Sequence, residues 1–190
     1  MKLLKILILS FLIISCKQEN KEIIQLSKNA SDFIVNEEYD KAMGAYDKII
    51  KIDKEDYHAF IGKSIIFLIK KDYRNAENQI DIALKIKPDY AEAYLSKGLL
   101  NFKMNKNFKA IEYLKKSIEL YRQRKTDGNY DDKNNDINIY YLYFFIGDKI
   151  SKIEMKQIED KYQNDSKTIK YFEIIKNHSK EELINKFLPQ

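Results

Sequence analysis

From Ile23 onward apolar residues recur at the spacing of a helix, and the whole pattern then repeats every 34 positions. Leu26, Phe60 and Tyr94 form one column; Ala30, Ser64 and Gly98 form another; Ala42, Ala76 and Ala110 a third. Tyr39 pairs with Tyr73, Ile50 aligns with Leu84 and Ile118, and Ile52 with Ile86 and Leu120. Each unit holds two apolar stripes of helical period. In the second unit Ile80, Ala83, Leu84 and Ile86 close a helix that Pro88 prevents from continuing. The pattern therefore predicts three helical hairpins, over 23–56, 57–90 and 91–124. The small columns let paired helices approach closely, and large residues fill the neighbouring holes.

Past Leu120 the register is lost. Residues 122–136, RQRKTDGNYDDKNND, read as a polar insertion with a turn at Asp127-Gly128. The stretch Ile137 to Ile146 is aromatic and β-branched enough for a strand. Following three hairpins, it is read as the first helix of a degenerate fourth unit, with Tyr140, Tyr141, Tyr143, Phe144 and Phe145 encircling it and both faces covered. A turn at Gly147-Asp148 leads into a helix to about Tyr162. Asp165 or Ser166 caps a helix to about Lys176, and Ser179 to Glu182 forms a capping box for a last short helix before Pro189.

This column set resembles the tetratricopeptide repeat. That family places a large residue at position four, a small one at eight, an aromatic at eleven, Ala at twenty and Pro at thirty-two. The second unit fits best, with Phe60, Ser64, Phe67, Tyr73, Ala76, Ala83 and Pro88; the first has Lys54 at the proline position, and in the third Phe102 and Phe108 fall one residue late. The resemblance implies an all-α, right-handed helical-hairpin solenoid: about three repeats, a degenerate fourth and capping helices over 137–190. It also implies a concave groove lined by the first helix of each unit. At those positions stand Ile61, Ile65, Leu68, Leu95, Leu99 and Phe102, an apolar row that needs a covering group. Two occupants fit: a peptide or protein partner, or this chain's own aromatic segment and C-terminal helices. The Lys, Asn and Arg clamp that some relatives use for a C-terminal carboxylate is absent from these positions.

The first fifteen residues, MKLLKILILSFLIIS, combine two lysines with an apolar run too short for the ~20 residues of a spanning helix, as in a secretory signal. Leu12-Ile13-Ile14-Ser15-Cys16 resembles the bacterial lipobox, which implies cleavage before Cys16, acylation of its sulfur and amine, and a tether over 16–22. The membrane anchor is then lipid. Lys17 after the Cys leaves out the aspartate of inner-membrane retention, so the outer membrane is the expected site; which face of it stays open.

Composition narrows the chemistry. Five Gly and two Pro disfavour Gly-rich phosphate loops, and one Cys with two His disfavours disulfides and zinc. Losing Lys2 and Lys5 with the leader takes the basic residues from 34 to 32 against 29 acidic, a balance too even for a nucleic-acid partner. Asp132, Asn134 and Asp136 alternate as in a calcium loop, but Ile137 and Tyr143 stand where Gly and Glu are required. His58 and His178 read as surface or capping residues, and no nucleophile motif or cofactor site is found. The expectation is an envelope adaptor without enzymatic activity. The rivals are a glycan- or substrate-capturing lipoprotein, for which Tyr140, Tyr141 or Tyr143 must be exposed, and an accessory subunit of an envelope enzyme with a polar pocket over 137–175.

Overall fold

A computed structural model describes residues 21–126 and 132–187. The leader, Cys16 and the tether up to residue 20 lie outside the described residues. Helix α1 (21–35) is followed by α2 (Tyr39–Ile52), α3 (Tyr57–Ile69), α4 (Tyr73–Ile86), α5 (Ala91–Lys103) and α6 (Asn107–Thr126). Then come α7 (Asp132–Ile146), α8 (Lys149–Lys161), α9 (Ser166–Lys176) and α10 (Lys180–Phe187). No strand occurs among the described residues, and no helix there is long and apolar enough to cross a membrane. Hairpins α3–α4, α5–α6 and α7–α8 pack internally, α2 on α3, α4 on α5 and α6 on α7 join them in series, and α9 lies on α7. The result is the right-handed helical-hairpin solenoid that the period implied.

Two hydrophobic clusters meet in α3. Ala59 and Ile66 face the N-terminal cluster with Ala30, Ala42, Tyr46 and Ile49. Ile61 and Leu68 face the main cluster, which runs from Ala76 and Ile80 through Leu100 and Leu114 to Tyr140, Phe172 and Leu183. The small columns do what close packing demands: Ala30, Ser64, Ala42, Ala76 and Ala110 are fully buried, and a Cβ on Gly98 would lie 2.3 Å from Leu114 Cδ2. Gly62 makes a second such contact, where a Cβ would come within 2.1 Å of the Tyr46 ring in the preceding hairpin.

Between the two helices of each repeat the chain turns through one left-handed residue: Glu37 (φ 61°), Lys71 (φ 57°) and Asn105 (φ 58°), again at the 34-residue spacing. In each turn the next amide reaches five residues back, Glu38 to the Phe33 carbonyl, Asp72 to Phe67 and Lys106 to Asn101, all at 2.8 Å. That is the Schellman closure of a helix end, held here by residues other than glycine. After α7 the left-handed residue is a glycine, Gly147 (φ 70°), whose amide bonds the Tyr143 carbonyl at 2.9 Å. Ion pairs repeat too: Lys63 to Asp47 (2.7 Å) and Lys97 to Asp81 (2.5 Å) each tie the first helix of a unit to the second helix of the one before.

Two boundaries differ from the sequence reading. Residues 21 and 22, placed in the tether, already belong to α1. Much of 122–136, read as an insertion, is helical: α6 runs on to Thr126 and α7 starts at Asp132. Polar residues there continue the exposed side of α6, and Arg122 and Arg124 form ion pairs, so the composition of a loop coexists with helix. The aromatic segment is helical as expected, and Tyr140, Tyr141, Tyr143 and Phe145 are all buried. Asp165 caps α9 by accepting from the Thr168 amide. The capping box is closed in both directions, Glu182 N–H to Ser179 Oγ (3.1 Å) and Ser179 N–H to Glu182 Oε2 (2.6 Å).

Candidate functional site

The six residues of the apolar row are brought to α3 and α5, but they do not form one open groove. Ile61 (9% exposed), Leu68 (2%) and Leu99 (5%) are buried in the main cluster. Ile65, Leu95 and Phe102 are half-buried against the same cluster. The reason is that α3 and α5 are flanked on both sides, so residues on one apolar stripe are divided between helix contacts and surface. At the C-terminal end the chain covers itself: the Phe102 ring lies 6.0 Å from that of Phe145 on α7, which is only 1% exposed. Ile65, Ile69, Leu95 and Phe102 remain as the half-exposed apolar strip.

One end of this strip carries a polar and aromatic cluster that the sequence did not single out. Arg124 donates to both carboxylate oxygens of Glu92, at 2.7 and 2.8 Å. Its guanidinium lies over the Tyr121 and Tyr90 rings, at 5.3 and 5.8 Å. Tyr90 Oη is 3.0 Å from His58 Nδ1, and Tyr57 packs its edge on Tyr90. A fork-shaped guanidinium matched to one carboxylate and stacked on rings is a fixed arrangement, so this cluster positions α3, α5 and the end of α6. His58 is thus a packing residue, while His178 Nδ1 sits 2.6 Å from the Ile174 carbonyl at the end of α9.

The C-terminal hairpins hold further recesses. A cleft of about 520 Å³ between α6, α7 and α8 has Ile118, Tyr143, Ile146 and Ile150 in its walls and Lys115, Arg122 and Asp148 at its edge. Two smaller ones, near 210 and 260 Å³, are lined largely by charged residues, most of them paired. Asp136, its side chain 4% exposed, accepts from Lys161 (2.7 Å) and from the Tyr162 hydroxyl (2.9 Å). Glu159 accepts from Tyr140 Oη (2.7 Å) and Lys176 (2.9 Å). Among the described residues no group of His, Cys, Asp and Glu is placed to hold a metal ion. The alternating Asp132, Asn134 and Asp136 lie in α7, not in a loop.

These pairs shift titrations. The Lys133 ammonium, with the Thr168 amide, holds the Asp165 carboxyl down at about 2. Burial opposes the charge of Glu159, yet Lys176 and Tyr140 outweigh it and keep its pKa below the ordinary range. A depressed carboxylate stabilises the fold above its unfolded pKa, and that contribution is lost as pH falls through the folded value. For Asp165 the window runs from the ordinary 3.8 down to about 2. The expected outcome is a urea midpoint that drops across this acid range, with a smaller drop in the Asp165→Asn variant.

No family model matches the chain. Over 108 residues, 54% of the chain, it is 34% identical to tetratricopeptide repeat protein 37 of Xenopus laevis, and the match spans 7% of that protein's length. Among solved structures it resembles the TPR2B domain of yeast Sti1 in complex with pHsp70: TM-score 0.53, 15% identity, 66% of this chain and 95% of that one. MamA superposes with TM-score 0.52 at 19% identity, covering 76% of this chain and 81% of its own. YrrB, a repeat protein with an unusual peptide-binding site, gives TM-score 0.50 at 18% identity over 90% of this chain and 87% of its own. The class is therefore the tetratricopeptide-repeat fold, a helical-hairpin solenoid.

Proposed function

We propose that the chain is a bacterial envelope lipoprotein whose solenoid binds a peptide or protein partner along its concave face and holds it at the membrane, with no chemistry of its own. The observation that carries this is the half-exposed strip Ile65, Ile69, Leu95 and Phe102, left open between helices that bury every other apolar residue of the row. Support comes from Sti1 and YrrB, where the same fold serves a bound partner or a peptide site. Anchoring rests on Leu12 to Cys16 and the short apolar leader. A glycan platform is not favoured, because Tyr140, Tyr141 and Tyr143 are at most 7% exposed.

The test keeps the fold intact. Lysine at Ile61 or Leu99 would bury a charge and report on stability, so a photoreactive phenylalanine analogue is placed instead at half-exposed Leu95, and at Phe108 on α6, 79% exposed, as control. Crosslinking in the native envelope is expected to give one discrete protein adduct from Leu95 and none from Phe108. Equal labelling from both positions removes the groove as the partner site. Acylation is read separately: labelled palmitate enters the parent chain and not Cys16→Ala.

A further inference from the structure

Helices α6 and α8 enclose, with α7, the cleft of about 520 Å³, and no residue of the half-exposed strip on α3 and α5 lines it. Its volume falls in the roughly 300–1,000 Å³ range of small-molecule sites, and its walls are mostly apolar, as in such sites. Ile118, Tyr143 and Ile146 are buried yet reach it, and Ile150, 66% exposed, stands at its mouth.

The charged edge of the cleft is uneven. On α6, Lys115, Ile118, Glu119 and Arg122 follow the i, i+3, i+4, i+7 spacing of one helix side, so two cations and one acid border the same space. The acids there are already satisfied. Glu119 accepts from Lys116 (2.9 Å) and Gln123 (3.2 Å), and Asp148 caps α8 by accepting from the Ser151 amide (2.7 Å). The cations keep donors to spare. Arg122 uses only Nη2, toward Tyr143 Oη (2.7 Å) and Glu154 (2.8 Å), which leaves Nη1 and Nε unbonded among the described residues. Lys115 makes no hydrogen bond or ion pair among the described residues, although it stands close enough to Asp148 to favour that carboxylate's charge.

The repeat shows why Lys115 is free. It stands in the 34-residue column of Asp47 and Asp81, the acids that Lys63 and Lys97 of the following helix bind. The third unit reverses that charge, so a tie between hairpins is replaced by an unpaired ammonium beside an apolar cleft.

We propose that this cleft binds a small aliphatic amphiphile with one anionic head, a carboxylate or a phosphate monoester. Its apolar body lies against Ile118, Tyr143, Ile146 and Ile150, and its head takes charge-assisted hydrogen bonds at the edge that Lys115 and Arg122 share. The site depends neither on the acylation nor on the concave partner, and filling it leaves the strip on α3 and α5 open.

The experiment uses the full mature chain, in phosphatidylcholine nanodiscs if it carries acyl groups, with isoleucine methyl groups labelled for NMR. The probes are hexanoate, hexyl phosphate, hexanol and hexyltrimethylammonium, which share a chain and differ in head. Saturable shifts at Ile118, Ile146 and Ile150 are expected with hexanoate or hexyl phosphate while Ile65 and Ile69 stay unmoved, and the tighter of the two anions identifies the head. Lys115→Glu, at a side chain with no ion pair to lose, should weaken anion binding about fivefold and leave hexanol unchanged. Ile150→Gln should weaken all the probes alike, and added salt should weaken the anions and not hexanol. Hexanol or hexyltrimethylammonium binding as tightly as the anions overturns the anionic head, and so does an unchanged anion affinity in Lys115→Glu. Shifts spread evenly to Ile65 and Ile69, no saturable shift with any probe, or contacts from the Ile146 methyl to a second copy before any probe is added overturn the site.

Discussion

Gly98→Val is expected to lower stability by about 1–3 kcal/mol, the range for overpacking a well-packed helix contact. The first added carbon would sit 2.3 Å from Leu114 Cδ2, 2.9 Å from its Cγ and 3.3 Å from the Ala110 carbonyl oxygen. Leu114 is fully buried and the carbonyl belongs to the α6 backbone, so neither can give way without moving α5 against α6. Helix propensity works in the opposite direction, since glycine costs up to about 1 kcal/mol inside a helix. The measured sign therefore decides between packing and propensity. Urea denaturation of Gly98→Val, Leu114→Ala and the double variant settles it. Leu114→Ala alone removes buried methyls and costs about 2–5 kcal/mol. In the double variant the valine occupies space that the leucine vacates, so the two losses should be well short of additive. A Gly98→Val chain as stable as the parent would mean that α5 and α6 do not approach as closely as the structure places them.

Gly98 was legible in advance because it stands in a column of small residues with Ala30 and Ser64. Gly62 was not. Its counterparts in the other units are Lys28 and Ser96, and its constraint comes from the Tyr46 ring of the preceding hairpin. A column records what a position shares with its repeats; a contact between two particular units leaves no column. The left-handed turn residues illustrate the same limit from the other side. Glu37, Lys71 and Asn105 occupy equivalent positions, but two of the three belong to types with no preference for that conformation. The hydrogen bonds that close those turns are made by the backbone, which sequence composition does not display.

The apolar row shows why the candidate site was only half readable. The tetratricopeptide resemblance put Ile61, Ile65, Leu68, Leu95, Leu99 and Phe102 on the first helices of two repeats, and α3 and α5 carry them. It could not say which neighbour covers each. Ile61, Leu68 and Leu99 are taken by helix contacts, and Phe102 stays half-exposed beside Phe145, a residue 43 positions further along the chain. In the C-terminal half the charged residues misled in another way: 122–136 has the composition of a loop, but its arginines are ion-paired from helix α6 to Glu92 and Glu154. Pairing partners about 32 residues apart are invisible to local pattern.

Tyr140→Ala is expected to cost about 3–5 kcal/mol, with the loss concentrated in the last three hairpin elements. Tyr140 is fully buried and holds three helices at once: its ring stacks on Phe172 of α9 with centroids 4.0 Å apart, and its hydroxyl donates to Glu159 of α8 at 2.7 Å. Glu159 in turn pairs with Lys176 at the end of α9. Burial raises the Tyr140 pKa, so the hydroxyl stays a donor through the physiological range. Tyr140→Phe keeps the stacked ring and removes only the hydrogen bond, and should cost about 1 kcal/mol. In a solenoid each unit is stabilised chiefly by its neighbours, so damage at α7 should spread toward α10 and fade toward α2. Hydrogen exchange resolved by segment checks this: Tyr140→Ala should lose protection in α7, α8 and α9, while α2, whose contacts belong to the N-terminal cluster with Ala30 and Tyr46, keeps it. Uniform loss from α2 to α9 would show that the two clusters meeting in α3 unfold as one unit, and that the Ala59 and Ile66 side of that helix is coupled rigidly to the Ile61 and Leu68 side.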